Sequence, residues 1–188
     1  MGWNVDYAHS QVEVVVRHMM ISNVKGHFEK FTVNANIDED NVHLSQVEVQ
    51  IDAASINTKM EQRDAHLKSP DFLDVEKYPY ITFKSRRMER LGEDHGRIIG
   101  DLTIRDVTRE VVLNVDYAGQ ARSPFGTINA GFTGTAKVNR KDWGLNWNAA
   151  LETGGWLVGD DVKINVDIEF VKVPEPATAP QPAEAVPA

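Results

Sequence analysis

Alternation of apolar and polar residues with a period of two is the feature that most restricts how this chain can fold. It recurs along nearly the whole of residues 3 to 173. In the clearest stretch, residues 162 to 170, apolar residues fill every even position, and Lys, Asn, Asp and Glu fill the odd ones. Successive side chains of a β-strand point to opposite faces of a sheet. The pattern therefore predicts antiparallel strands with one apolar and one polar face.

About eight such segments follow one another, joined by short polar connections at residues 23–26, 92–96 and 105–109. A closed barrel and a two-sheet sandwich both satisfy this arrangement. The inward faces carry the small residues Gly100, Ala130, Gly134 and Ala136, which favour a barrel. Such residues mark either a sharp bend or room for a ligand. The expected fold is all-β, an antiparallel eight-stranded β-barrel.

One segment interrupts the alternation. Ile56, Met60 and Leu67 recur at helical spacing, with Arg63-Asp64 set among them. Pro70 ends the segment, because the residue before a proline avoids helical geometry. We therefore predict a short α-helix over about residues 55–68 that lies across the mouth or wall of the barrel.

The stretch QRDAHLKSPDF, residues 62–72, contains a histidine close to an aspartate. Asp64 and His66 are two positions apart, which on a helix is a rotation of about 200°, so they cannot chelate one metal ion from a shared face. The favoured interpretation is that Arg63 and Asp64 bind backbone or loop groups beneath the helix. A ligand-binding or catalytic role is the alternative.

Composition excludes several classes of function. The 188 residues include no cysteine, which removes disulfides, thiolate nucleophiles and cysteine metal ligands. The net charge of −8 argues against broad attraction to nucleic acid or to an anionic membrane. The six histidines are scattered singly, and phosphate-binding, dinucleotide-binding and nucleophile-elbow motifs are absent. We predict no catalytic residues, no metal site and no cofactor other than a bound ligand.

The ends of the sequence give two further expectations. The first residues show no signal-peptide pattern, which predicts a cytoplasmic protein as written, or a periplasmic one if the sequence is a mature or trimmed form. No apolar run approaches the roughly 20 residues that span a bilayer, so stable membrane insertion is not expected. Residues 174–188 are rich in proline and alanine and are predicted to form a disordered tail after a domain of residues 1–173.

Two polar features lie among the apolar ones. His18 continues the inward series Val12, Val14 and Val16, so its imidazole must find a partner. That partner is either a group in the barrel wall or the head group of a ligand. The stretch 139–147 combines a basic residue with two tryptophans; its indoles either plug the end of the barrel or form a rim that accepts the polar end of an amphiphile.

Together these features resemble the YceI-like family of bacterial lipocalin-like proteins, over roughly residues 3 to 173. The matching features are short motifs in a fixed order and spacing. They are Asp6 with His9-Ser10, Val16-Arg17-His18, Gly26 with Phe28, Arg63-Asp64 with His66-Leu67, Asp71-Phe72, Tyr78-Pro79 with Thr82-Phe83, Gly100-Asp101-Leu102-Thr103-Ile104, Asn139-Arg140 with Trp143-Gly144-Leu145, and Val158-Gly159-Asp160.

The resemblance implies an elongated lipocalin-like barrel with a hydrophobic pore, capped by the helix and without catalytic machinery. Ligands of the family are isoprenoid chains with diphosphate or quinone heads, and fatty acids or amides, and homodimers are common. One departure is Asp106, where the family usually has glycine; aspartate tolerates a left-handed turn, so we expect the hairpin at residues 105–108 to form.

From these patterns we predict the binding residues. His18, Arg63 and Arg140 are the candidates for the head group of the ligand. The predicted pore lining is Val14, Val16, Phe31, Val33, Val49, Ile51, Met60, Leu67, Phe72, Phe83, Leu102, Leu113, Val115, Phe132, Trp143, Trp147, Ile164, Val166 and Ile168.

The leading functional hypothesis is non-catalytic binding, storage or transport of a long-chain amphiphile, a polyprenyl diphosphate or an isoprenoid quinone. The alternative ligand is a fatty acid or fatty amide. Two weaker hypotheses are a hydrolase of hydrophobic substrates, centred on His18 or Asp64, and a ligand-free stress or scaffold protein tethered to a partner by its tail.

Overall fold

The computed structural model describes residues 2–38 and 41–173. One antiparallel sheet, curled into a half-barrel, makes up most of this part of the chain. Its strands are β1 (Gly2–His18), β2 (Ser22–Phe28), β3 (Phe31–Asn36), β4 (Gln46–Asp52), β5 (Ile56–Asn57), β6 (Tyr80–Arg90), β7 (His95–Ile104), β8 (Val107–Arg122), β9 (Ile128–Asn139) and β10 (Val158–Val173). The all-β, lipocalin-like fold predicted from the sequence is confirmed. The predicted tail, residues 174–188, lies outside the described residues.

The sheet contains ten strand segments, whereas eight were predicted. Their order is β3-β4-β6-β7-β8-β9-β10-β1-β2-β5. Only Glu29 and Lys30 separate β2 from β3, so these two segments are the halves of one bent strand, and β5 contributes only two residues. The difference in number comes from this bend and from β5.

The bent strand does not close the sheet along its whole length. β2 pairs with residues 12 to 18 of β1, and β3 pairs with β4. Between β3 and the first half of β1, side chains bridge the gap: the Val33 amide donates to the Tyr7 hydroxyl at 3.2 Å, and the rings of Tyr7 and Phe31 meet edge to face. We call this junction the seam.

The helix is shorter than predicted. Residues 53–55 form a single 3₁₀ turn, and α1 spans Glu61–Lys68. The Asp52 carboxylate accepts a hydrogen bond from the Ala54 amide at 2.9 Å and starts the 3₁₀ turn, while Ile56 pairs with β2 and is buried. Lys59 then takes a left-handed conformation, so a helix cannot start before residue 60. Pairing with the sheet therefore overrides the helical spacing.

The turn between β1 and β2 also differs from the prediction. It lies at residues 19–21, whereas Asn23 to Gly26, predicted as a connection, belong to β2. Met19 and Met20 occupy the two central positions with φ of 50° and 62°, and the Ile21 amide donates to the His18 carbonyl at 3.1 Å. Positive φ at both central positions is typical of a type I′ turn, which favours Asn-Gly, and a left-handed conformation costs a non-glycine residue about 1 to 2 kcal/mol.

The hairpin at residues 105–108 forms as expected, but the residue in the left-handed conformation is not the one that was predicted. Ile104 and Val107 pair across the turn. Arg105, rather than Asp106, takes the left-handed conformation, with φ of 58°. The guanidinium of Arg105 lies over the Tyr78 ring, 5.6 Å from its centroid.

The turns at residues 19–21 and 105–106, α1, and the loop of residues 144–157 all lie at one end of the barrel, which we call the capped end. The hairpin turns at residues 91–94 and 123–127 lie at the other, far end. Trp143 packs into the core at the capped end, 2% exposed, and its indole N–H donates to the Leu102 carbonyl at 3.1 Å. No helix in the described part of the chain is long and apolar enough to cross a bilayer.

Candidate ligand-binding site

The inward faces of the strands enclose a cavity of about 1140 Å³. This exceeds the range of about 300–1,000 Å³ that is usual for small-molecule sites. The cavity forms because each strand contributes its apolar alternate positions, as the clearest stretch of β10 shows with residues 162, 164, 166, 168 and 170. An interior of this size and composition has room for a long hydrocarbon chain.

Almost all of the predicted pore residues lie around this cavity. They are Val14, Val16, Val33, Val49, Ile51, Met60, Leu67, Phe72, Phe83, Leu102, Leu113, Val115, Phe132, Trp143, Trp147, Ile164, Val166 and Ile168. Phe31 is the exception. Its ring packs against Tyr7 at the seam, with 5.6 Å between ring centroids, and it lines a separate groove of about 550 Å³. The bend between β2 and β3 places it there, a feature that the alternation of residues does not reveal.

The small inward residues serve two purposes. Ala130, Gly134 and Ala136 border the cavity, so their size adds to its volume. Gly100 does not. A Cβ atom at this position would lie 2.5 Å from the Lys84 carbonyl oxygen and 2.6 Å from the Phe83 ring. Gly100 therefore allows close approach of β6, where the register between the two strands shifts at residues 85–87.

The Arg63-Asp64 pair fastens the cap. The Asp64 carboxylate accepts hydrogen bonds from the Thr58 amide at 2.9 Å and from the Thr58 hydroxyl at 2.5 Å. Arg63 donates to the same hydroxyl at 2.7 Å through Nε and to the Thr58 carbonyl at 2.8 Å through an Nη group. Four hydrogen bonds thus converge on one buried threonine. We call this arrangement the Thr58 clasp.

His66 lies on a different face of α1 from Asp64. Its Nε2 is 2.8 Å from an Asp71 carboxylate oxygen. Its ring packs edge to face against Phe72 and Trp147, with centroid distances of 5.0 and 4.5 Å. The segment 62–72 thus contains two separate structural contacts, and Asp64 and His66 do not form a joint centre. His66, Phe72 and Trp147 all border the cavity.

Arg140 also lines the cavity, but most of its hydrogen-bonding capacity is used by the protein. Its side chain is 4% exposed and donates to the carbonyls of Gly159, Leu145 and Trp147 at 2.9, 2.5 and 2.9 Å. Burial lowers the pKa of this guanidinium, and the nearby Asp160 carboxylate, 3.5 Å away, opposes that shift. Arg140 therefore ties the loop of residues 144–157 to the start of β10.

His18 differs from the other two head-group candidates. It is half-buried and borders the cavity at the capped end. Within the described residues, the structure shows no hydrogen bond from its imidazole. Arg63 and Arg140 are held mainly by protein groups, whereas both ring nitrogens of His18 are available to a ligand.

Charged residues border the far end of the cavity, and sequence reasoning missed them. Glu89, Arg90, His95 and Arg97 all lie there. Arg97 donates to the Glu89 carboxylate at 2.5 Å, and this bond, reinforced by Arg87, lowers the pKa of Glu89. The sequence signal is the density of charge around residues 92–96, which the alternation of residues marks only as a polar connection between strands. The cavity is therefore apolar along its middle and polar at both ends.

Outside the cavity, one group of side chains has the composition of a metal site. Ligand atoms of Asp6, His9 and Glu169 lie within 4.8 Å of one another. Asp6 and His9 are already hydrogen-bonded at 2.9 Å, which lowers the pKa of Asp6 and raises that of His9. The contacts stabilise the bulge of residues 7–10, where the register between β1 and β10 shifts.

Comparisons with known proteins agree with this architecture. The family model described as YceI-like domain matches residues 3–170. A UPF0312 protein of Staphylococcus aureus (strain N315) is 38% identical over 170 residues, which cover 90% of this chain and 96% of the relative.

Solved structures share the fold. The YCEI protein of Campylobacter jejuni superposes with a TM-score of 0.72 at 30% identity, covering 84% of this chain and 90% of that one. A polyisoprenoid binding domain from Saccharophagus degradans, implicated in plant cell wall breakdown, superposes with a TM-score of 0.62 at 14% identity, covering 89% and 97%. By the match of the family model to residues 3–170 and the 38% identity to the Staphylococcus aureus relative, the chain belongs to the YceI-like family.

Proposed function

We propose that this protein binds one long-chain amphiphile inside its barrel, and that the ligand is a polyisoprenoid such as a polyprenyl diphosphate or an isoprenoid quinone. The observation that carries the proposal is the apolar cavity of about 1140 Å³. The polyisoprenoid binding domain from Saccharophagus degradans, which shares the fold, supports the choice of ligand class. The protein acts as a carrier or store, without catalysis.

The energetics favour such a ligand. Burying one methylene group contributes about 0.8 kcal/mol, so a dozen buried carbons give about 10 kcal/mol. Association and ordering cost of the order of 4 to 15 kcal/mol. The hydrocarbon chain therefore supplies most of the affinity, and longer chains bind more tightly until the cavity is full.

Polar residues at the two ends of the cavity select among the head groups of ligands. At the capped end, His18 borders the cavity without a protein hydrogen bond within the described residues. We infer that its imidazole contacts the polar end of the ligand. Arg63 and Arg140 act mainly by holding the surrounding loops in place, because Thr58 accepts hydrogen bonds from Arg63 and backbone carbonyls accept them from Arg140.

Native mass spectrometry of the purified protein, followed by organic extraction and identification of the extract, tests the proposal. A bound isoprenoid lipid is the expected result. Titration with all-trans-retinol, a fluorescent isoprenoid alcohol, covers the case in which the natural ligand is lost during purification. A protein that carries no amphiphile and takes up neither retinol nor a fatty acid would contradict the proposal, and uptake of the fatty acid alone would assign the alternative ligand.

The role of His18 needs a separate measurement. Replacement His18→Ala should leave the affinity for a simple hydrocarbon chain within about twofold, since the chain contacts remain. It should reduce the preference between diphosphate and alcohol head groups of equal chain length. Equal preference in the variant and the original protein would exclude His18 as the head-group residue.

A further inference from the structure

An exposed apolar surface lies beside the residues that border the cavity at the capped end. It comprises Met19, Met20, Ile21 and Trp156, which we call the apolar tip. Ile21 is 75% exposed and Trp156 58% exposed. Large apolar side chains in this number and this close together are uncommon on a surface that only meets water.

The apolar tip is one surface although it comes from two loops. The Met19 amide donates to the Leu157 carbonyl at 2.8 Å. The Met20 side chain lies against the backbone of Gly155, where a Cβ atom would collide with the methionine sulfur. The turn between β1 and β2 thus packs beside the short hairpin in which Ala150 bridges Trp156.

The local sequence of the turn is unfavourable both for folding and for contact with water. Its two central residues are left-handed, which suits Asn-Gly, yet both are methionines with φ of 50° and 62°. Met19 is still 41% exposed and Met20 62% exposed, so burial compensates for the strain only in part. Methionine at these two positions is unfavourable both for the turn geometry and for a surface in water. A contact with an apolar partner explains both departures.

The position of the apolar tip indicates what that contact is. His18 and Leu157, the chain neighbours of Met19 and Trp156, border the cavity. The occupant that we have proposed for the cavity is a long-chain amphiphile, and each methylene favours an apolar phase over water by about fourfold. Such a ligand resides in a bilayer and not in free solution, so the protein must meet a membrane to collect or release it.

We propose that the apolar tip docks the capped end of the barrel onto the surface of a lipid bilayer for transfer of the ligand. Methionine and isoleucine reach the boundary of the acyl chains, and the Trp156 indole sits at head-group level, as is usual for this residue. The net charge of −8 gives anionic lipids no general advantage. The proposed partner is therefore a neutral surface, with phosphatidylcholine as its simplest form. This inference rests on the proposed function.

The test uses the full chain and phosphatidylcholine vesicles loaded with all-trans-retinol. Vesicle sedimentation measures docking, and the change in retinol fluorescence measures transfer. The perturbing variant is the double replacement Met19→Asn, Met20→Gly, which restores the residues that the turn geometry favours. The control is Phe125→Ser, because Phe125 is 94% exposed in the turn after β8, at the far end.

We expect the double variant to lose vesicle binding and to slow retinol transfer from vesicles by about tenfold or more. Its thermal midpoint should stay equal or rise, because Asn-Gly fits the turn without strain. The Phe125→Ser variant should dock and transfer as the original protein does. Transfer and docking that are unchanged in the double variant would overturn the proposal.

A second arm separates docking from ligand binding. Retinol dispersed directly in buffer, without vesicles, should bind the double variant and the original protein equally. If neither binds dispersed retinol while docking follows the apolar tip, the proposed function and the transfer of its ligand fail, and only the docking of the tip to the bilayer stands. If the original protein does not bind vesicles and light scattering shows a dimer that the double variant lacks, a second copy of the chain covers the tip and the inference is wrong.

Discussion

Replacing Asp64 by asparagine tests whether the Thr58 clasp holds the cap in place. Asparagine has nearly the same shape as aspartate and still offers a side-chain oxygen to the Thr58 amide and hydroxyl. It lacks the negative charge that strengthens both hydrogen bonds, at 2.9 and 2.5 Å. The substitution therefore weakens the clasp without leaving a cavity.

The expected magnitude follows from the two bonds. A hydrogen bond to a charged group contributes about 1.5 to 3 kcal/mol, and a neutral one about 0.5 to 1.5 kcal/mol. Losing the charge from both should lower the free energy of unfolding by about 2 to 3 kcal/mol. For a domain of this length, 1 kcal/mol moves the thermal midpoint by about 2 to 4 °C, so the midpoint should fall by about 4 to 12 °C.

Urea unfolding and calorimetry measure both quantities. Glu61→Gln is the matched control, because it makes the same chemical change on an exposed residue of the same helix and should change stability by less than about 0.5 kcal/mol. A double-mutant cycle with Thr58→Val should show coupling between positions 58 and 64. An Asp64→Asn protein as stable as the control would refute the reasoning. Normal stability together with faster retinol exchange would instead assign the pair to gating.

Three further predictions concern other parts of the wall. Arg140→Lys should lower the free energy of unfolding by about 3 kcal/mol or more, because lysine cannot reach three carbonyls with one fork; a loss below about 1 kcal/mol in urea unfolding would contradict this. Gly100→Ala should cost about 1 to 3 kcal/mol in the same assay, since its Cβ meets the Lys84 carbonyl; a neutral result would show that β6 can shift. An NMR titration should give His9 a raised pKa that falls toward its ordinary value in Asp6→Asn, with an unchanged value excluding the contact. The pair stabilises the fold fully between the ordinary pKa values of the two groups, and the contribution is lost as pH rises through the raised pKa of His9 or falls through the lowered pKa of Asp6.

The alternation of residues was enough to predict the strands and their inward faces. In β10, each inward residue from Val162 to Phe170 borders the cavity, because the period of a strand is a local property that tertiary contacts do not alter. The same reasoning could not predict that Phe31, unlike its inward neighbours, lies outside the cavity. The bend at Glu29 and Lys30 turns that side chain toward Tyr7, and bends are set by packing across the sheet.

The turn after β1 shows why local chemistry was insufficient. Asn23 and Gly26 are residues that favour turns, but Gly26 pairs with Val14. Its missing side chain leaves room for Ile56 and Thr58, which lie 3.0 and 3.1 Å from the site of a Cβ atom. A contact between residues some thirty positions apart along the chain thus explains why a glycine lies within this strand.

The roles of polar residues were the least predictable part of the candidate site. The sequence identified Arg140 as a residue near the cavity but gave no sign that carbonyls of Leu145, Trp147 and Gly159 would take up its donors. Backbone acceptors are the same at every position, so no side-chain pattern records them. The charges at the far end were missed for a similar reason, since only the curling of the sheet brings Arg90 and Arg97 to the rim of the cavity.

The seam is the part of the barrel wall that can widen without breaking backbone hydrogen bonds between strands. Consecutive strands in the described sheet order, from β3 to β5, are joined by ladders of backbone hydrogen bonds, which a wider ligand would have to break together. Between β3 and the first half of β1, the wall is held instead by the hydroxyl of Tyr7 and its ring contact with Phe31. Parting these side chains widens the interior while every ladder stays intact. For the function proposed above, this design predicts that chains of different thickness, straight or branched, are held without a change in strand pairing.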